Sequence, residues 1–276
     1  MSNRRELILK AKGGDVESQF ALGCAYDFER PKHKKRAIFW YHKAAEQGHA
    51  EAQNYLGESY REGDDVEQDT RKAIYWFRKA VANGRADAQV SLGVAFFEGE
   101  GVRRDREKAL ALYRLAAKQG HPAAQYNIAQ MYRCGHVVRQ SWKLAIRWYH
   151  RAAEKGHLSA MYWLGRIYDG LEEVPANPQE AIVWLTKAAE AGEAGSQTSL
   201  GICYFNGQHV ESDPVTAAIW YRRAAMQNDP WACYLLGLCY RDGTGVKSNI
   251  RVAIHWFRKA ASQNVKEAAN ALAEIA

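Results

Sequence analysis

A single 36-residue period runs through almost the whole chain and confines it to a repeat architecture. Tryptophan recurs at Trp40, Trp76, Trp148, Trp184, Trp220 and Trp256, and Leu112 holds the third place in the series. A second ladder reads Leu22-Gly23, Leu56-Gly57, Leu92-Gly93, Ile128-Ala129, Leu164-Gly165, Leu200-Gly201 and Leu236-Gly237, spaced by 34 residues once and by 36 thereafter. Two ladders in phase do not arise by chance. A period of about 20–50 residues marks stacked supersecondary units, each too small to bury its own apolar face.

Each unit reads as two helices. The first carries small-x-x-x-Leu-Gly-x-x-aromatic, as in Ala52, Leu56, Gly57 and Tyr60. Spacings of three and four place these residues on one helical face. A mid-helix glycine costs about 1 kcal/mol relative to alanine, which makes sense where a neighbouring helix must come close. The second helix carries Ala-Ile-x-Trp-x-x-Lys-Ala-Ala, as in Ala181, Ile182, Trp184, Lys187, Ala188 and Ala189.

Punctuation confirms the boundaries. Four residues before the first alanine of each second helix stands a capping residue: Asp69, Asp105, Ser141, Asn177, Asp213 or Asn249. Its side-chain oxygen can accept from an otherwise unpaired N–H. His33 holds that place in the first unit and is a poor cap. Each second helix ends at Gly48, Gly84, Gly120, Gly156, Gly192, Asn228 or Asn264, residue types that tolerate the left-handed conformation closing a helix. No strand-like alternation survives anywhere.

The predicted fold is all-α: a right-handed α/α superhelical solenoid of about seven helix pairs. Residues 1–276 read as one domain, with an N-terminal capping helix over 1–12, seven repeats over 13–264 and a C-terminal capping helix over 265–276. Stacking buries the Trp, Leu and Tyr sets at roughly 1.5–3 kcal/mol per large side chain.

No window approaches the roughly 20 apolar residues of a membrane span, and the first residues lack the apolar core of a signal peptide. The five cysteines show neither a recurring spacing nor C-x-x-C, and read as buried small hydrophobes. Together these features predict a cytoplasmic protein. The net charge of +7 favours anionic partners, but the charges are spread along the chain, as on solvated helix faces.

The motif Ala-x-Ala-Gln-x-x-Leu-Gly-x-x-aromatic-x-x-Gly, then Gly-Val, then Asp-x-x-x-Ala, runs clearly through Ala86, Ala88-Gln89, Leu92-Gly93, Phe96, Gly99, Gly101-Val102, Asp105 and Ala109. On these residues the chain resembles the Sel-one-like repeat family, longer relatives of tetratricopeptide repeats, across seven units. Leu112 for tryptophan and Ile128-Ala129 for Leu-Gly depart from the pattern, and are expected to alter packing locally. The resemblance implies a bacterial adaptor or scaffold, or an immunity protein that neutralises a secreted toxin. The family's secreted cysteine-rich branch, associated with β-lactam binding, carries regular cysteine pairs that are missing here.

Catalysis finds no support in the sequence. There is no H-E-x-x-H, G-x-S-x-G or P-loop pattern, and no catalytic residue, metal site or cofactor is predicted. His49, His121 and His157 share one slot after a helix-ending glycine and read as a turn feature. His42, His150 and His255 lie on second helices, with no ligand set at metal spacing. The run Arg30-Pro31-Lys32-His33-Lys34-Lys35-Arg36 lacks interleaved aromatics, and nucleic acid is not the expected partner.

What remains is a stripe on the first helices beside the packing positions. In tetratricopeptide-like folds that stripe lines the concave groove. From it we take the candidate partner-binding residues Asn54, Glu58, Arg61, Phe97, Tyr126, Gln130, Arg133, Tyr162, Arg166, Asp169, Phe205, Trp231, Tyr234 and Arg241. Packing positions keep their residue type from unit to unit, whereas these vary, as expected where each unit meets a different part of one partner. Tyr, Trp and Arg also tend to carry interface energy. The expected partner is another protein or peptide segment, acidic or a toxin, bound by a monomer.

Overall fold

A computed structural model of the chain describes residues 2–28, 34–63, 66–171 and 174–275. Among these residues every regular element is helical and no strand occurs. The first helices of the pairs are α2 (Val16–Phe28), α4 (Ala50–Glu62), α6 (Ala86–Glu98), α8 (Pro122–Cys134), α10 (Leu158–Arg166), α12 (Ala194–Asn206) and α14 (Pro230–Asp242). The second helices are α3 (Lys34–Glu46), α5 (Thr70–Ala82), α7 (Arg106–Lys118), α9 (Trp142–Glu154), α11 (Pro178–Glu190), α13 (Pro214–Met226) and α15 (Ile250–Ala261). Flanking them are α1 (Ser2–Lys12) and α16 (Lys266–Ile275), and a short π-helical segment, Ile167–Leu171, extends α10. The chain forms two compact units, residues 1–145 and 146–276. In each, a helix packs on its sequence neighbours, as α2 does on α3 and α11 on α12.

Local chemistry sets the helix ends. The six expected caps all form, Asp69 accepting from the Lys72 N–H, Asn249 from the Val252 N–H and Ser141 from the Leu144 N–H. Those hydrogen bonds hold the carboxyls of Asp69 and Asp105 below the usual range, and at Asp213 the Thr216 hydroxyl lowers it first and the cap N–H groups add to that. His33 lies outside the described residues. The backbone N–H of Asp69, Asp105 and Asn249 donates, at 2.8 Å each, to the carbonyl of Tyr60, Phe96 and Tyr240, so these pairs share one turn. All seven closing residues, from Gly48 to Asn264, have positive φ.

The deepest side chains are not the tryptophans but the residues that follow them. Tyr41, Phe77, Tyr113, Tyr149, Leu185, Tyr221 and Phe257 are each at most 3% exposed. For all but Tyr149, whose partner helix has Ala129 at that place, the partner is the mid-helix glycine. A Cβ at Gly93 would lie 2.6 Å from the Tyr113 ring, at Gly201 2.6 Å from Tyr221 and at Gly165 2.6 Å from Leu185. The tryptophans sit higher, with a cation three residues on over the indole: Lys79 at 5.6 Å from Trp76, Arg151 at 4.6 Å from Trp148 and Lys187 at 4.4 Å from Trp184. In the third repeat both members change together, to Leu112 and Leu115.

A second ladder, polar and buried, runs between repeats. Gln53 donates to the Ala45 carbonyl at 2.9 Å and accepts from Asn83 at 2.9 Å. Gln197 likewise donates to the Ala189 carbonyl at 3.0 Å and accepts from Gln227 at 2.9 Å. Each amide thus ties the ends of two successive second helices, a register device as well as a satisfied buried group. Cys233 takes this slot in the seventh repeat, its Sγ 3.8 Å from the Ala225 carbonyl. With Cys203 and Cys239 it is buried, but Cys24 and Cys134 are exposed, correcting the expectation that all five lie inside. Cys24 follows the glycine on the outward stripe and Cys134 ends its helix, so neither faces the core.

Two predictions follow from this packing. Gly93→Ala should destabilise by about 1–3 kcal/mol in urea unfolding, through overpacking, despite its gain in helix propensity. In a Tyr113→Ala background the same change should be neutral or stabilising; stabilisation in the wild type would refute the glycine–ring account. The second concerns His42 and His150. They share hydrogen bonds with Tyr60 (3.2 Å) and Tyr168 (2.9 Å) and lie edge-on to Trp76 and Trp184. Burial lowers both pKa values from 6.5. Neutral imidazole is favoured in the fold, so this stability is present above the unfolded value and lost as pH falls through the folded ones. The urea midpoint should drop between about pH 7 and pH 5, and drop less in His42→Gln/His150→Gln.

Candidate functional site

The first helices of residues 1–145 carry two hollows between neighbours. The first, of about 450 Å³, lies between α4 and α6 and includes Asn54 and Glu58 of the predicted stripe. It is threaded by ion pairs: Arg85 to Asp87 at 2.8 Å and to Glu51 at 3.7 Å, and His121 Nε2 3.0 Å from Asp87. Glu58 holds Arg61 at 2.6 Å and accepts from the Ser91 hydroxyl. Three atoms here, Asn54 Oδ1, Arg85 Nε and His121 Nδ1, are shielded from solvent with no well-formed hydrogen bond among the described residues, Arg85 Nε having only its ion pair with Asp87.

The second hollow, about 400 Å³, lies between α6 and α8 and gathers Phe97, Tyr126, Gln130 and Arg133. Gln130 donates to the Tyr126 hydroxyl, and Arg133 donates to Gln130 at 2.7 Å. The Phe97 ring lies between the Arg106 guanidinium, 5.0 Å from its centroid, and the His136 ring at 5.6 Å.

In residues 146–276 a hollow of about 370 Å³ spans α10, α12 and α14 and gathers Tyr162, Arg166, Asp169 and Trp231. Arg166 donates to the Tyr162 hydroxyl at 2.9 Å. Asp169 accepts from Gln208 at 2.8 Å and lies 2.7 Å from His209 Nε2. Trp231 leaves 41% of its surface open. Phe205 lines a separate, smaller hollow beside Leu238. Tyr234 packs on Phe257 at 5.9 Å and so belongs partly to the core, while Arg241 is held by Asp242 at 2.7 Å.

The stripe omitted Arg85, His121, His136 and His209, which stand at or just before helix starts, or in turns. His49 and His157 accept cap hydrogen bonds from Ala52 and Ala160, while His121 instead faces Asp87. A sequence signal existed: Glu51/Arg85 and Asp87/His121 are complementary pairs 34 residues apart. Of the basic run, Arg30, Pro31, Lys32 and His33 lie outside the described residues. No described helix is long and apolar enough to cross a membrane.

The model of the Sel1 repeat matches residues 16–49, 50–84, 86–121, 122–157, 158–193, 194–229 and 232–265. Among solved structures, the chain is similar to c5321, a protective antigen of uropathogenic Escherichia coli with an SLR fold: 31% identity, TM-score 0.82, covering 98% of this chain and 58% of that one. This chain thus spans little more than half the antigen's length. A Sel1 repeat protein from Oxalobacter formigenes gives 28% identity and a TM-score of 0.76, over 88% of this chain and 96% of that one. The immunity protein PA5088 from Pseudomonas aeruginosa gives 20% identity and a TM-score of 0.53, over 75% and 81%, a likeness of fold alone. No curated protein sequence matches. With seven matched repeats laid over the helix pairs described above, the chain belongs to the Sel1 repeat family.

Proposed function

We propose that the chain is a non-catalytic scaffold that binds a partner protein on the first-helix faces of its repeats. The observation that carries this is the contrast between two sets of positions on the same helices. The glycine–ring and amide ladders repeat with little change, whereas the adjoining stripe changes residue type along the chain. In it Tyr recurs at Tyr126, Tyr162 and Tyr234 and Arg at Arg61, Arg133 and Arg241, and much of it lines hollows. One hollow even holds polar atoms, Asn54 Oδ1 and His121 Nδ1, left unmatched. Sel1 repeats are a protein-interaction fold, which agrees.

In this reading residues 13–264 act as one scaffold closed by the helices at 1–12 and 265–276, a monomer working in the cytoplasm. A narrower version makes the partner a secreted toxin, as the name of the PA5088 immunity protein would suggest.

Affinity capture from native lysate, comparing the wild type with Tyr162→Ala/Arg166→Ala, tests the reading. A specific protein held by the wild type should be depleted about tenfold or more from the variant, with helicity and melting unchanged. Equal retention by both proteins would remove the first-helix face as the binding surface.

A further inference from the structure

Charge spread along the sequence is sorted by helix layer in the fold. In residues 1–145, α3, α5 and α7 carry four lysines or arginines each against two carboxylates, Glu46 and Glu107. Their partners α2, α4 and α6 carry seven carboxylates against one cation, Arg61. The expectation of an acidic partner therefore attaches to the second helices and not to the stripe described above.

That basic layer has a shaped centre. A cleft of about 630 Å³ beside α5 and the turn before α7 is lined by Arg78, Arg103, Arg104 and Lys108. Lys108 pairs with Asp105 at 2.9 Å, and Arg104 donates to the Glu98 carbonyl at 3.2 Å. Arg78 and Arg103 have no ion-pair partner among the described residues, leaving two guanidiniums for bidentate contact with carboxylate. Helical spacing puts Tyr75 on the same outward side of α5 as Arg78, opposite the buried Phe77. The equivalent position on α3 holds Phe39; on α7 it holds Ala111, and Leu115, one turn further on in the place of Lys79, is the exposed apolar residue of that outward side. Phe39, Tyr75 and Leu115 are 52%, 51% and 47% exposed.

We propose that the second-helix face of residues 1–145 docks an acidic, amphipathic protein segment. Its carboxylates would sit at Arg78 and Arg103 and its apolar side chains on Phe39, Tyr75 and Leu115. The side chains favour protein over nucleic acid. Leu115 offers no surface on which a base could stack, whereas an apolar side chain packs on it readily. The proposal is independent of the first-helix reading.

The probe is a fluorescein-labelled synthetic peptide alternating Glu with Leu, titrated with the full chain at low salt. It should bind. Affinity should fall about tenfold with Arg78→Glu/Arg103→Glu and also fall as salt is raised. Tyr75→Ser/Leu115→Ser, or a peptide with Ser for Leu, should weaken it as well. These substitutions are on exposed positions, and unchanged melting confirms the fold. Tyr162→Ala/Arg166→Ala should leave peptide binding unaltered, which separates the two surfaces. The proposal is overturned if the peptide does not bind, or if the charge reversal leaves its affinity intact. It is equally overturned if oligo(dT) or phosphatidylserine vesicles bind more tightly than the peptide, which would give the face to nucleic acid or to a membrane.

Discussion

Six of the seven helix pairs depend on an aromatic or leucine side chain lying directly on the glycine of the partner helix, and the fourth has Ala129 in the glycine's place. Removing the Cβ lets the two helices approach until ring and backbone touch, and that contact sets the distance for everything above it. The tryptophan one residue earlier is then lifted toward the surface, where a lysine or arginine one turn on covers its indole. Interiors this close-packed transmit a change at one atom to its neighbours. A methyl group at the glycine therefore strains the whole pair, although alanine is otherwise the better helix former.

Polar groups supply what the apolar ladder lacks, a fixed register between repeats. Van der Waals contact between rings and alanines would tolerate sliding, whereas the Gln53 amide has to reach both the Ala45 carbonyl and Asn83. A slip would leave a buried amide unpaired, at roughly 1–3 kcal/mol for each group. The caps and shared turns do the same at helix ends. A rigid frame of this kind leaves the remaining first-helix positions freer to vary, although some, such as Tyr234 against Phe257, still take part in the packing.

The two faces of a repeat consequently differ in chemistry. First helices in residues 1–145 present carboxylates and hollows, and second helices present cations and exposed apolar groups. The overall charge of +7 hides this sorting, because alternate helices of opposite sign average out along the chain. Layered charge of this sort gives each face its own electrostatic preference.

The sequence by itself determined the repeat, the helix pairs, their caps and their closing residues, because these depend on local spacing and on backbone conformations that few residues adopt. It also marked the glycine as a point of close approach. Only the tertiary structure decided what approaches it. Tyr113 and Trp76 are both apolar aromatics on second helices, and the depth of each follows from helix phase and contact across the pair. The candidate site divided in the same way. The varied stripe was legible from periodicity, but Arg85, His121 and His209 reach it from turns and helix starts about 34–40 residues away in sequence. Stacking of repeats, which no local pattern encodes, is what brings them there.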